Sequence, residues 1–466
     1  ISFTDKICDR LLQNGINPIS VIEPTCGKGN FLLSSLKYFK NLRNAIGIDI
    51  NENWVNKAKE NVDRLNIHSK HNVEVKKGNF FDIDWEKQLN NLPEPLLIIG
   101  NPPWVTNTDL SNFSTVLASV KLNIYNLHGF ELLTGKSNFD ISEWMLIHLI
   151  KGIIGREASL AMLCKTTVAR KVLEFFWKNG INNFTPKIYL IDAYEVFGVS
   201  VNACLLVCES KRQQSCKIYD NLFAEIQSSA IGLRENHIVG NAIFYDKWKH
   251  LQGKSKYQWR SGIKHDCASI MELTKIDHKY ENKLGEIIEI EDQYLFPMLK
   301  SSDIANRRLN NIKKWMIVTQ RKIGENTEII KKSAPKTWDY LNNHSDYLDK
   351  RKSSIYNNKP KFSIFGVGDY SFSPWKVAIS GLYKKLEFVA IDMYQNKPIV
   401  LDDTCYFIPC NSEKEAKTIE NALNADIARE FFEAFIFWDK KRPITVSLLR
   451  KLKIEVLLDE IGLSLK

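Results

Sequence analysis

The chain has 466 residues, 44% of them hydrophobic and 25% charged, and a net charge of +10. That length exceeds one typical domain and predicts two or three, with the composition of an ordinary soluble globular protein. No apolar run approaches the ~18 residues needed to cross a bilayer, and no signal peptide is evident, although the chain begins at Ile1 rather than Met and leaves an upstream segment open.

In chain order, "SVIE" (Ser20–Glu23) reads as a short apolar strand, followed by a glycine-containing loop and a helix near Asn30–Lys40. "NAIGIDI" is a second strand. "ENWVNKAKENVDRL" is a helix with apolar positions at Trp54, Val55, Ala58, Val62 and Leu65. "NVEVKKGNF" and "PLLIIG" are the third and fourth strands. A polar stretch from Val105 to about Lys136 reads as a loop-like insert. "ISEWMLIHLIKGII" is a strong helix, "ASLAMLC" a buried strand, and "VARKVLEFFWKNG" a helix ending at a glycine. "PKIYLIDA" and "VNACLLVCE" close the series as strands. Strands alternating with helices predict an α/β, doubly wound, mostly parallel sheet. After about Ser210 strands shorten and polar turns increase, which places a domain boundary near 245 and predicts domains 1–245 and 246–466, the second α+β with a C-terminal helical part. Ile427–Trp438 ("IAREFFEAFIFW") has the wide apolar face of a core helix. The nine cysteines show no CxxC pair. Cys204 and Cys208 lie four apart in a strand-like segment, so reduced thiols in a cytoplasmic protein are expected and no metal site.

Two segments carry chemistry. In "VIEPTCGKGNFL" a strand runs through Glu23, Pro24, Thr25, Cys26, Gly27 and Gly29 into a helix, and small glycines let backbone approach a ligand beside the free N–H groups of a helix start. Asp49, at the end of the second strand and twenty residues after Gly29, can accept both hydroxyls of a ribose. Position 32 is Leu, so no GxGxxG can be drawn, and an acid at Glu23 is unwelcome beside a pyrophosphate but suits a cationic amino acid and sulfonium. The pattern points to S-adenosylmethionine rather than NAD. In "LLIIGNPPWVTN" a buried strand delivers Asn101, Pro102, Pro103 and Trp104. Two consecutive prolines end the strand's hydrogen bonding and fix the backbone, so Asn101 and Trp104 are presented rigidly.

The order of "EPTCGKGNFL", "GIDIN", "GNFFD", "NPPW", "GKSNFDISEWML", "ASLAMLCKT" and "EVFGVSVNACLLV" resembles the γ-group (TaqI-type) N6-adenine DNA methyltransferases of restriction–modification systems, over roughly residues 1–220. The resemblance implies a Rossmann-like, S-adenosylmethionine-dependent domain followed by a DNA target-recognition domain. It implies that Glu23 through Gly29 cradle the methionine part of the cofactor, with Thr4 a further contact. Asp49 and Ile50 would serve ribose and adenine. Asn79, where the family usually has Asp, and Phe80 would meet the cofactor's adenine; an Asn can still accept there through its carbonyl oxygen, without charge. Asn101–Trp104 matches the catalytic motif, usually ending in Tyr, and Phe197 matches an aromatic lining the target-base pocket.

A sequence-reading surface for double-stranded DNA is expected in the second half. Residues 301–390 hold 17 Lys and Arg against 8 Asp and Glu, while the rest of the chain holds 47 against 46. Trp315, Trp338, Tyr340, Tyr356, Trp375 and Tyr383 are interleaved with those basic residues, as on a nucleic-acid surface. Further readings are RNA adenine, protein glutamine or N4-cytosine as methyl acceptor, a binding module without catalysis, and a piece of a combined restriction–modification polypeptide. No nuclease constellation is evident in these residues, which leaves a nuclease upstream of Ile1 or on another chain, with a restriction endonuclease or specificity subunit as a candidate partner.

Overall fold

A computed structural model describes residues 2–65, 71–104, 140–210, 215–277 and 279–464; the insert expected over 105–136 lies outside them. The chain divides into two compact units, Ile1–Ile243 and Phe244–Lys466.

The first unit is built on one ten-stranded sheet. Helix α1 (Phe3–Gln13) starts at a capping box in which Ser2 and Asp5 satisfy each other's backbone N–H groups. Strand β1 (Ser20–Glu23) leads to α2 (Asn30–Tyr38), β2 (Asn44–Asp49) to α3 (Glu52–Asp63), and β3 (Asn72–Lys77) to α4 (Trp85–Asn90) and β4 (Leu96–Gly100). After the undescribed segment come α5 (Ile141–Ile153), β5 (Ala158–Lys165), α6 (Thr166–Lys178), β6 (Thr185–Asp192), α7 (Ala193–Phe197) and β7 (Asn202–Glu209). Three further strands, β8 (Ser215–Tyr219), β9 (Ser229–Arg234) and β10 (His237–Val239), extend the same sheet past Ser210, where the sequence pattern weakens. The strand order is β3-β2-β1-β4-β5-β7-β6-β8-β9-β10. β3 through β5 are mutually parallel, with registers such as Val21↔Ala45, Val21↔Leu97 and Ile98↔Leu160. β7 is antiparallel to both β5 and β6.

This topology decides where a ligand can bind. β1 and β4 are fully buried along their length, as expected of parallel strands covered on both faces. β1 lies between β2 and β4, so the chain winds outward in opposite directions from the β1/β4 pair, and the loops after them part to leave a crevice at their carboxyl ends. The glycine loop and Asn101 both emerge there.

The second unit holds two sheets. A four-stranded antiparallel sheet runs Arg260–Ser261, Cys405–Cys410, Trp375–Ser380, Val389–Ile391. Helices Glu413–Leu423, Asp426–Glu433 and Ile454–Glu460 contribute to a core with it. A six-stranded sheet runs Ile287–Ile288, Lys279–Glu281, Glu272–Ile276, Lys314–Ile317, Leu295–Leu299, Val400–Leu401. Ala428, Phe431 and Phe432 are buried, as the core-helix reading of that segment requires, while Trp438 is 38% exposed. The expectation of an aromatic nucleic-acid surface over residues 301–390 needs correction. Trp315 and Tyr340 are buried in the core behind the six-stranded sheet, Trp338 and Trp375 pack against core residues, and Tyr356 is half-buried under Arg351. Of those six aromatics only Tyr383 is exposed. Their spacing serves short strands and helices with one buried face, which a composition count does not distinguish from a binding surface.

Candidate active site

The loop after β1 is held from three sides. Gly27 and Gly29 adopt φ of +51° and +80°, a region that L side chains rarely enter. A Cβ on Gly27 would lie 2.9 Å from Trp54 Cε3, and one on Gly29 would lie 3.2 Å from Ala58 Cβ, so α3 closes the outer side of the loop. Cys26 is buried and donates its N–H to Ile48 O at 2.8 Å. Gly27 N–H donates to Asp49 Oδ2 at 2.8 Å, and Thr25 Oγ1 donates to Asn101 O at 3.2 Å. The loop therefore touches β2's acid on one flank and the Asn101 segment on the other, with Pro24 fixing the exit from β1.

Glu23, expected beside the methionine part of the cofactor, is turned into the protein. It is 2% exposed, and Oε2 accepts the backbone N–H of Leu32 at 2.9 Å. Burial pushes its carboxyl well above the ordinary carboxylate range, against the opposing backbone bonds from Leu32 and Phe31. Its chemistry is directed at the first turn of α2, so it orders the loop from beneath rather than facing a cationic ligand.

Asp49 Oδ1 accepts from Asn51 N–H at 2.8 Å while Oδ2 holds Gly27. Each oxygen keeps a further lone pair for a ligand hydroxyl. Ile50 beside it is 65% exposed and offers an apolar face with no protein cover. Asn79 begins a short turn: Oδ1 accepts from Phe81 N–H at 3.2 Å and Nδ2 donates to Asp82 Oδ2 at 3.0 Å. Phe80, expected at the adenine, is instead a core residue, 4% exposed, with its ring 4.5 Å from Trp85 and 5.8 Å from Trp144. Phe81, half-buried and 4.9 Å from Trp144, is the more open ring of the pair.

At the end of β4, Asn101 and Pro103 are exposed and Pro102 is buried. Trp104 is half-buried, edge-to-face with Phe197 at 5.5 Å, and Phe197 is in turn edge-to-face with Phe3 at 5.9 Å. These three rings come from the end of β4, α7 and α1, which places Phe197 beside the tetrapeptide. A cavity of about 880 Å³ is lined by Ser2, Thr4, Ser34, Arg64 and Phe197 among others. Thr4 accepts at Oγ1 from Ser34 at 2.8 Å, so its hydroxyl is engaged with α2 while it faces the same cavity as Phe197. Sequence reasoning assigned no role to Trp54, Asp140 or Lys165. Lys165 Nζ donates to Asp140 Oδ2 at 2.8 Å and to Trp104 O at 3.4 Å. Asp140 and Lys165 were present only as letters within the "SNFDIS" and "LCKT" segments, and Trp54 only as an apolar position of a helix. Among the described residues no group of His, Cys, Asp and Glu could hold a metal, all nine cysteines are buried and unbridged, and no helix is long and apolar enough to cross a membrane.

The arrangement fits S-adenosylmethionine. Two left-handed glycines give close backbone approach, a carboxylate stands at the end of β2 with lone pairs to spare, and an exposed aliphatic side chain sits next to it. Residues 17–99 match a family described as "Methyltransferase domain". A curated protein of Nostoc sp., "Type II methyltransferase M.NspV", is 44% identical over 461 residues, which cover 98% of this chain and 95% of that protein. Among solved structures, the type IIL restriction-modification enzyme MmeI in complex with DNA superposes with a TM-score of 0.52 at 12% identity, covering 96% of this chain; the chain spans 65% of that structure's length, and the likeness is one of fold. With that identity to M.NspV along nearly all of its length, the chain belongs to the type II methyltransferases, with S-adenosylmethionine as its cofactor.

Proposed function

We propose that this protein is a sequence-specific DNA methyltransferase of a restriction–modification system, transferring a methyl group to N6 of adenine. The observation that carries this reading is the junction at Thr25: its hydroxyl donates to Asn101 O, joining the cofactor loop to the Asn-Pro-Pro-Trp segment at the crevice between β1 and β4. Its relative M.NspV is a type II methyltransferase, and the basic stretch over 301–390 supplies charge suited to phosphates.

An exocyclic amine conjugated to a purine is a poor nucleophile because its lone pair is delocalised. Asn101 Oδ1 and the Pro102 carbonyl are two acceptors that can take its two N–H hydrogens and draw the nitrogen toward tetrahedral geometry. The prolines hold both in place before reaction, so little ordering is left for the transition state. Trp104 gives the base a face to stack on, worth about 1–3 kcal/mol, and Phe197 closes the adjoining wall. Gly27, Gly29, Asp49 and Ile50 would hold the cofactor, which supplies an electrophilic methyl on sulfur. The base must leave the duplex to reach this pocket, and the second unit would read the flanking sequence. The reading implies double-stranded DNA as substrate and a restriction endonuclease or specificity subunit as a companion protein.

The test is to incubate the protein with labelled S-adenosylmethionine and unmethylated DNA and to digest the product to nucleosides. N6-methyladenine at one recurring sequence supports the reading. N4-methylcytosine would move the acceptor to cytosine, and methylated RNA or protein with unmodified DNA would overturn it.

A further inference from the structure

β5 runs beside β4 in parallel, with Met162 opposite Gly100, and continues three residues further to Lys165. That extension carries Lys165 level with the Asn101–Trp104 segment. Its Nζ donates to Asp140 Oδ2 at 2.8 Å and to the carbonyl oxygen of Trp104 at 3.4 Å. The Asp140 side chain is 6% exposed and Lys165 20%, so the pair is largely withdrawn from water. Asp140 is fixed in its own right as the N-cap of α5: Oδ1 accepts the backbone N–H of Ser142 at 3.1 Å and its hydroxyl at 2.6 Å. The rigid anchor is therefore the helix, the carboxylate transmits its position to the ammonium, and the ammonium meets the last carbonyl of the tetrapeptide.

We propose that Lys165, seated by Asp140, is a positioning residue for Trp104. It fixes the carbonyl of Trp104 and so the orientation of the indole, which lies edge-to-face with Phe197. Lys165 touches no reacting atom; it acts through Trp104, and the inference rests on the reading of Trp104 as the platform for the target base. An ammonium suits this task because it carries three donors on a flexible stem and can satisfy a carboxylate and a carbonyl together. A methionine of similar length cannot.

Lys165→Met alone would leave Asp140 buried without its cation, which is destabilising in itself. The informative variant is the double substitution Lys165→Met/Asp140→Asn. It removes both charges, and the amide oxygen that replaces the carboxylate can still accept from Ser142. The expected result is a melting temperature and cofactor affinity close to wild type, with the single-turnover methylation rate lowered about 10-fold or more, as misplacement of a reacting partner by a fraction of an ångström produces. Lys165→Arg, which keeps the charge and the donors, should recover most of that rate. A double variant that methylates at the wild-type rate would overturn the proposal and leave the pair a structural one. A second readout needs no substrate. In protein labelled with 5-fluorotryptophan, the Trp104 resonance, assigned by its loss in Trp104→Phe, should shift or broaden in the double variant. An unmoved Trp104 resonance overturns the positioning role even if wild-type protein proves inactive on DNA, an outcome that would instead defeat the substrate reading.

Discussion

The backbone N–H of Gly27 donates to Asp49 Oδ2 at 2.8 Å, which makes the loop after β1 and the acid after β2 one unit. Asp49 therefore shapes the glycine loop, and on the proposed reading it also accepts from the ribose. Asp49→Ala removes both and should weaken S-adenosylmethionine binding in calorimetry by roughly 10- to 100-fold, the range for losing hydrogen bonds to a charged group. Asp49→Asn keeps one acceptor oxygen and should fall between. Wild-type affinity in Asp49→Ala would remove the residue from the cofactor site.

Gly27 faces a second constraint, the indole of Trp54. Gly27→Ala must hold a non-glycine residue at φ +51° and place its Cβ 2.9 Å from Trp54 Cε3. The backbone strain alone is about 1–2 kcal/mol. Cofactor affinity and melting temperature should both drop. Adding Trp54→Ala relieves the clash and not the strain, so the double variant should regain part of the loss. Full recovery would show that the left-handed backbone is not required, and no recovery that Trp54 does not press on the loop.

The second unit should carry a pH signature of its own. Glu272 is 3% exposed and meets Lys300 Nζ at 2.6 Å, Lys283 Nζ at 2.9 Å and His265 Nε2 at 3.4 Å. His265 Nδ1 accepts the N–H of Cys267, so the proton of the neutral ring sits on Nε2, facing the carboxylate. Burial alone would raise the Glu272 carboxyl, but donation from His265, Lys300 and Lys283 outweighs it and holds the group well below its ordinary 4.5. An acid depressed in the folded state contributes stability that is present above 4.5 and is lost as pH falls toward the folded value. Glu272→Gln should cost about 3 kcal/mol at pH 7, the low end for breaking a buried pair because both lysines can rehydrate. The gap to wild type in urea denaturation should narrow below pH 4.5. A gap that stays constant with pH would dissociate the ion cluster from the effect.

How much of this could be read from letters depended on range along the chain. The glycine loop, Asp49 and Asn101–Trp104 each lie at a strand's carboxyl end, so local pattern located them, and their convergence followed from parallel winding. The partner of β5 was not legible. β7 is later in sequence than β6 yet inserts antiparallel between β5 and β6, a long-range pairing that periodicity does not encode. Glu23 carried the right residue type for a cofactor contact, but only the fold shows its carboxylate turned under α2. The same holds for Asp140 and Lys165, joined across 25 residues. Trp315 misled in the opposite direction: basic neighbours suggested a surface, whereas strand pairing with Leu273 and Pro297 puts its indole in the core.

If the charge excess over residues 301–390 meets DNA, affinity must fall steeply with salt, since each neutralised phosphate releases about 0.9 counterion. Lys322, Lys331 and Lys332 are exposed. Replacing all three with Gln should lower the slope of log affinity against log salt by up to about 3 if each touches a phosphate. Cofactor affinity should not change. An unchanged slope would place the DNA elsewhere on the protein.

Asn101 and Trp104 should fail in different ways. In the proposed mechanism Asn101→Ala deletes one of the two acceptors that act on the amine as it becomes nucleophilic, so the loss should be felt mainly in the transition state. The single-turnover rate should drop by about 100-fold or more, by analogy with removal of one preorganised polar group, while cofactor and DNA affinities change little. Trp104→Ala deletes the proposed stacking face and leaves Phe197 with Phe3 as its aromatic neighbour. It should loosen the extruded base rather than the reacting amine. With 2-aminopurine at the target position, fluorescence rises when the base unstacks and is quenched again against an indole. Trp104→Ala should therefore give brighter emission on binding than wild type, and Asn101→Ala emission like wild type. Equal emission from Trp104→Ala and wild type would show that the base does not rest on the indole, and a wild-type rate in Asn101→Ala would remove amine activation from the mechanism.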